Sequence, residues 1–129
     1  MKNQVNFMKE ALLEAKIAYE NDYVPIGCVI THENEIVARG HNGPFWHAEI
    51  LTIQKAQEKL GKFLYNCQIF VTVQPCSMCL HAIKLARIAV LFYGAQNELE
   101  PLPEVEIIDG ICEIEAKNLI QNFFKSKRN

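Results

Sequence analysis

Gln68-Ile69-Phe70-Val71-Thr72-Val73-Gln74-Pro75-Cys76-Ser77-Met78-Cys79 is the stretch on which the fold turns. Residues 68–73 form a near-continuous apolar run, the pattern of a central strand covered on both faces. Pro75 then opens a helix reaching to about residue 86, because proline's fixed φ and missing N–H suit a first helical turn. Downstream, residues 88–93 read as another buried strand. Residues 105–108 read as a further strand, where Glu104 and Glu106 mark one wet face. The chain's last helix covers 112–124, with Cys112, Ala116, Leu119, Ile120, Phe123 and Phe124 on one stripe. Upstream, a helix starts near His47, buries Ile50, Leu51, Ile53 and Ala56, and is closed by Gly61 after residue 60. Before it, strands over 26–31 and 35–39 flank Glu33-Asn34 as a hairpin, and Gly40-His41-Asn42-Gly43-Pro44 is a loop by composition. Residues 4–20 open the chain as a helix. Met8, Ala11, Leu12, Ala15, Ala18 and Tyr19 recur at three- and four-residue steps there, with Lys9, Glu10, Glu14, Lys16 and Glu20 on the other faces. This order implies an α/β class, a three-layer α/β/α domain with a five-stranded mixed sheet, spanning residues 1–129 as a single domain.

Composition narrows the function classes. With 129 residues and 50% hydrophobic content, one core forms without disulfides. Of five cysteines, Cys76 and Cys79 are reserved for metal, and Cys28, Cys67 and Cys112 read as buried free thiols of a reducing compartment. No apolar run is long enough to span a membrane, and the N-terminus leads into an amphipathic helix instead of a signal peptide, so a cytoplasmic location is the expectation. A net charge of −2 argues against a surface that grips nucleic acid all over. The distribution is uneven: residues 98–115 carry seven acidic side chains and no Lys or Arg, whereas the end of the chain carries Lys125, Lys127 and Arg128.

His47, Cys76 and Cys79 supply three metal ligands, and Glu49, two residues after the first, supplies an acid. Three protein ligands leave one position of a tetrahedral ion open for water, as catalytic zinc sites do and structural ones do not. Cys76 and Cys79 share a face at a helix start, where the positive end of the helix dipole favours thiolates. Thiolates plus imidazole suit Zn²⁺ better than Mg²⁺ or Ca²⁺, which want oxygen ligands. The expected chemistry is activation of the water at that open position as a nucleophile, with Glu49 moving its protons. A structural zinc site would need a fourth ligand. His81, two residues past Cys79, points away from the pair, and His32 and His41 read as surface residues. A C-x-x-C redox pair is the other bland reading, and the upstream His-x-Glu weighs against it.

The chain resembles the cytidine/deoxycytidylate deaminase superfamily, and within it most the bacterial tRNA adenosine deaminases. His47-Ala48-Glu49-Ile50 and Pro75-Cys76-Ser77-Met78-Cys79 look like the family's zinc and acid motifs. Val24-Pro25-Ile26-Gly27 is similar to its segment beside the substrate, and His41-Asn42 to the position of its base-binding Asn. Leu85-Ala86-Arg87-Ile88 and Phe92-Tyr93-Gly94-Ala95 also match its pattern, as does the Phe123-Phe124-Lys125 ending. The resemblance implies hydrolytic deamination of adenosine to inosine at the wobble position of tRNA. It implies one Zn²⁺ per subunit and a homodimer whose RNA site uses both subunits. The implied substrate-side residues are Pro25, Ile26, Asn42 and Ala48, with Phe124, Lys125, Lys127 and Arg128 as RNA contacts; Trp46 is a further candidate contact read from this chain's own loop. The alternatives are a deaminase of a free base or nucleoside (guanine, cytosine or cytidine) and a non-catalytic zinc-binding partner subunit. Three departures separate this chain from the pattern: only Phe45 and Trp46 stand between Pro44 and His47, Gln74 replaces an acid before Pro75, and the connection over 94–103 is short and acidic. Trp46 is expected either to stack on a base or to fill the space left by the short loop. The fifth strand is expected to be parallel, as in the tRNA-acting branch; an antiparallel one would match the free-nucleoside branch.

Overall fold

A computed structural model describes residues 2–96 and 105–127. Arg128, Glu98, Glu100, Glu104 and most of the 94–103 connection therefore lie outside the described residues. The elements are α1 (Lys2–Glu20), β1 (Gly27–His32), β2 (Glu35–His41), α2 (Ala48–Leu60), β3 (Cys67–Val73), α3 (Ser77–Leu85), β4 (Val90–Ala95), β5 (Glu106–Ile108) and α4 (Glu113–Ser126). They build one five-stranded sheet in the order β2-β1-β3-β4-β5. β1 runs antiparallel to β2 and β3, and β3, β4 and β5 run parallel. The mixed sheet and the parallel fifth strand are as expected. Among the described residues no helix is long and apolar enough to cross a membrane.

Strand periodicity divides the core into two layers. Cys28, Ile30, Ile69, Val71, Leu91 and Tyr93 pack with α2 and α3 residues Ala48, Ile53, Ala56, Leu80 and Ile83. Their neighbours Val29, Phe70 and Phe92 point to the opposite face, against Met8 and Ala11 of α1 and Ile111. Alternation with period two puts consecutive residues on opposite sides, so a central strand covered on both faces reads as continuously apolar. Phe70 and Phe92 stack across the β3–β4 pair with centroids 4.4 Å apart, and Phe7 meets Phe70 at 5.4 Å. The hairpin tip is a two-residue turn with Glu33 at φ 52° and Asn34 at φ 65°, the doubly left-handed form that matches strand twist.

Gly27 seats α1 on the sheet. A Cβ there would stand 1.9 Å from the Ala11 carbonyl oxygen and 2.5 Å from the Ala15 nitrogen. Its own N–H donates to Thr72 Oγ1 at 3.1 Å, tying the start of β1 to β3.

Three residues depart from the sequence reading together. Gly40 and His41 extend β2 instead of forming loop, and Glu14 turns inward, only 8% exposed. The cause is a polar cluster between α1 and β2. Arg39 Nε donates to Glu14 Oε2 at 2.7 Å, Arg39 Nη1 to Glu10 Oε1 at 2.9 Å, and His41 Nδ1 to Glu14 Oε1 at 3.0 Å. Burial pushes the Glu14 carboxyl up, but the hydrogen bonds and charge of His41 and Arg39 outweigh it and hold the group below its ordinary range. A carboxyl depressed in the folded state adds stability above its unfolded pKa of about 4.3, lost as pH falls through the folded value. Glu14→Gln should therefore be less stable than the parent at pH 7, and the gap should close as the pH is lowered. Urea midpoints measured from neutral to acid pH test this; a gap that stays constant across that range would remove the assignment.

Candidate active site and metal centre

Both ligand-bearing segments sit at helix starts. His47 is the N-cap of α2 (φ −85°, ψ 146°) and Cys76 the N-cap of α3 (φ −68°, ψ 170°), and neither spends its side chain on capping. The sequence reading began the third helix at Pro75; it begins instead at Ser77, and this extended cap residue swings Cys76 towards α2. His47 Nδ1 lies 3.4 Å from Cys79 Sγ and 3.7 Å from Cys76 Sγ. The three donor atoms all lie within 4.8 Å of one another, and they form a group that could hold a metal ion. Cys79 is fully buried, whereas Cys76 is partly open and His47 exposed, so the group has a dry floor and a wet rim. His81 is not part of it. Its ring turns outward, with Nδ1 3.0 Å from the Ser77 carbonyl oxygen, as its position on the helix predicts.

Glu49, in the first turn of α2, is 3% exposed, and its Oε1 has no hydrogen-bond partner. Burial pushes its carboxyl up to about 7, against lowering by its own backbone N–H and the Cys79 thiol. The Cys79 thiol is driven up in turn by burial, by the Glu49 charge and by Cys76. The Glu49 carboxylate and Cys76 thus both disfavour ionisation of the Cys79 thiol in its buried corner. A divalent cation would reverse that balance, deprotonating the thiols and satisfying the donors. The donor set and the orphaned carboxylate oxygen therefore fit a metal of zinc's preferences. Cys28 lies behind this corner, fully buried, with its thiol raised by burial and by Glu49, a neighbour that sequence spacing did not reveal. It remains a free thiol, as do Cys67 and Cys112; Cys112 is half-buried instead of buried.

The remaining sequence candidates fall into two sets. Pro25 is buried and Ile26 half-buried at the start of β1, and the Ile26 carbonyl accepts from Asn42 N–H at 3.0 Å. Asn42 Oδ1 accepts from the Ala48 N–H at 2.7 Å. That bond fixes the amide's orientation, because only the carbonyl oxygen can accept, and it leaves Nδ2 as the outward donor. These residues converge with His47 and Glu49. Trp46 packs within its own loop while staying 41% exposed: its indole lies on Gly43, where a Cβ would come within 2.3 Å of the ring, and its Nε1 donates to the His41 carbonyl at 3.1 Å. The described C-terminal candidates lie elsewhere, on α4 and at its C-cap Lys127. Phe123 is buried edge-on against Tyr19, Phe124 is 44% exposed, Lys125 is exposed, and Lys127 pairs with Asp22 at the end of α1.

Comparison with known proteins agrees with this geometry. The family model described as MafB19-like deaminase matches residues 2–128. A tRNA-specific adenosine deaminase of Streptococcus pyogenes serotype M1 is 35% identical over 149 aligned positions, covering 99% of this chain and 87% of the relative. That alignment is longer than the chain itself, so the deletions fall on this side, as the short loops require. A structure solved in work on A-to-I editing by tRNA:A34 deaminases at the wobble position is 35% identical, with a TM-score of 0.82 over 88% of this chain and 98% of that one. A guanine deaminase from Nitrosomonas europaea superposes with a TM-score of 0.81 over 92% of this chain and 83% of that one; at 19% identity this likeness shows the fold alone. The chain belongs to the MafB19-like deaminase family.

Proposed function

We propose that this protein is a zinc-dependent hydrolase that converts adenosine to inosine at the wobble position of tRNA. The observation that carries the chemistry is the pairing of a three-donor group with a buried carboxylate whose Oε1 is unpartnered. The substrate rests on kinship with a tRNA-specific adenosine deaminase at 35% identity over 99% of this chain. His47, Cys76 and Cys79 would hold one Zn²⁺ per subunit, supplying a Lewis acid that makes water nucleophilic near neutral pH. Glu49 would accept one proton from the attacking water and pass it to the ring nitrogen, then take the second from the hydroxyl left on the ring carbon and give it to the amino group, which departs as ammonia. Its burial keeps the carboxylate from bulk solvent, so the proton it accepts goes to the substrate. Asn42, held by Ala48, offers Nδ2 to an acceptor on the base. Pro25 and Ile26 form the wall opposite α2. Exposed Phe124 and Lys125 would meet the anticodon arm, with Lys127 and Arg128 as further candidate contacts. Trp46 contributes by shaping the loop.

The second subunit has a natural seat. Met78 and Leu85 on α3 are 54% and 66% exposed, and Met78 lies between the two cysteines of the metal group. A homodimer that buries this face brings the partner's surface to the rim of the site, in a cytoplasmic enzyme acting on folded RNA. Sedimentation of the zinc-loaded protein tests the assembly, and a monomer mass throughout the micromolar range would exclude it.

Incubation with an anticodon stem-loop carrying a wobble adenosine should give inosine and ammonia, while free guanine, cytosine, adenosine and cytidine should be left largely untouched. Turnover of a free base with none of the RNA would favour a small-substrate deaminase instead. Glu49→Gln should retain zinc, measured by atomic emission, and lose about 10²–10⁴-fold or more in turnover, the usual weight of a general acid–base group. Parent-level turnover in that variant would refute the proton-carrier role of Glu49, whereas a zinc-loaded parent that turns over no substrate would leave a non-catalytic zinc-binding subunit as the reading.

A further inference from the structure

Phe45 is 93% exposed, the most exposed of the large hydrophobic side chains described, and it stands two residues before His47. Its Cα is at most about 7.6 Å from that of His47, two trans peptide units away. The loop that presents it is pinned at four points. Asn42 N–H donates to the Ile26 carbonyl at 3.0 Å, and Gly43 N–H donates to the Trp46 carbonyl at 3.1 Å. Trp46 Nε1 donates to the His41 carbonyl, and Asn42 Oδ1 receives the Ala48 N–H. Pro44 fixes one more φ. A short loop closed this tightly holds an apolar ring in water at the rim of the site, and pre-organisation of that kind lowers the entropy lost on binding.

We infer that Phe45 is a stacking platform for the nucleotide next to the target adenosine; this rests on the tRNA reading above. The loop's chemistry selects the occupant. Between Asn42 and His47 no side chain is charged, and the indole N–H of Trp46 is already used within the loop. Such a surface meets the face of a base and not its edge, so it binds without choosing among bases. The same residue ties the site to RNA: a free base or nucleoside has no neighbour to place on the ring. Phe45 is thus a specificity-determining residue for polymer over monomer, supplied by the shortened loop itself.

The test uses zinc-loaded protein in a Glu49→Gln background, so that the RNA is not consumed, and stem-loops in which the nucleotide on either side of the wobble adenosine is intact or abasic. Phe45→Ala should weaken binding of the intact stem-loop about 10-fold, within the range for loss of one base–aromatic stack. Phe45→Leu should stay weak and Phe45→Tyr should recover. One of the two abasic stem-loops should bind the parent about as weakly as the intact RNA binds Phe45→Ala, and the two changes together should add nothing further. Exchanging the neighbouring base for another should change binding little. Unchanged affinity in Phe45→Ala, full recovery by Leu, or additive losses would overturn the stacking role. In an otherwise parental background, a protein that neither binds nor deaminates the intact stem-loop would overturn the tRNA reading and this inference with it. Zinc content and melting temperature equal to the parent's separate a binding loss from misfolding.

Discussion

Two helix N-termini meet at one end of the sheet, and the site depends on that meeting. α2 begins beside the end of β2, and α3 begins beside the end of β3; β1, antiparallel to both, holds those ends at the same level. The N-cap residues are His47 and Cys76, whose side chains are free because neither caps its own helix. The positive ends of both helix dipoles add partial charge there, which favours thiolate over thiol and carboxylate over acid. Sheet topology thus fixes both the positions of the donors and part of the field in which they ionise.

Against that field stands desolvation. Cys79 and Glu49 are nearly dry, and burial raises both groups in the absence of a counter-charge. Buried groups with mutually repelling ionised forms weaken a fold unless something compensates. Here the balance is set up for a cation, so stability and catalysis share one requirement. The polar cluster on the other side of β1 solves the analogous problem internally: Glu14 is also buried, but Arg39 and His41 neutralise it with hydrogen bonds of 2.7 and 3.0 Å. One buried carboxylate is provided with protein partners and serves structure. The other keeps an unpartnered oxygen and serves chemistry.

The contrast between those two glutamates also shows what sequence conveys. Glu49 was legible because its spacing from His47 and the cysteine pair has a chemical meaning. Glu14 was not: helical periodicity assigned it to a wet face, and its partners Arg39 and His41 lie 25 and 27 residues away on a strand whose end was read as loop. Apolar runs located β3 and β4 because strands covered on both sides have no alternation to misread. The parallel β5 followed from the resemblance, whereas its three-residue length did not follow from any local pattern. Cap geometry escaped as well. Pro75 marks the approach to a helix, but whether Cys76 lies inside the first turn or just before it depends on the φ and ψ of one residue. That choice decides whether its sulfur faces His47.

The shortened loop illustrates how a deletion can conserve a site and still alter what the site accepts. With two residues between Pro44 and His47, the chain must turn directly from β2 into α2, and Trp46 takes up the vacated volume by lying on Gly43. Any larger residue at position 43 would displace that ring. The His41 carbonyl would then lose its indole donor, beside Asn42, whose amide the Ala48 N–H orients. Removing loop residues therefore tightens the coupling between backbone and ligand instead of opening the mouth at random. It also leaves Phe45 exposed, with none of the described residues covering it. An exposed aromatic on a rigid turn differs from one on a mobile loop, because a mobile loop would fold the ring away from water. The side chain stays out because the hydrogen bonds that orient Asn42 also prevent the loop from collapsing. Base positioning and rim presentation are thus two consequences of one short, fully bonded turn.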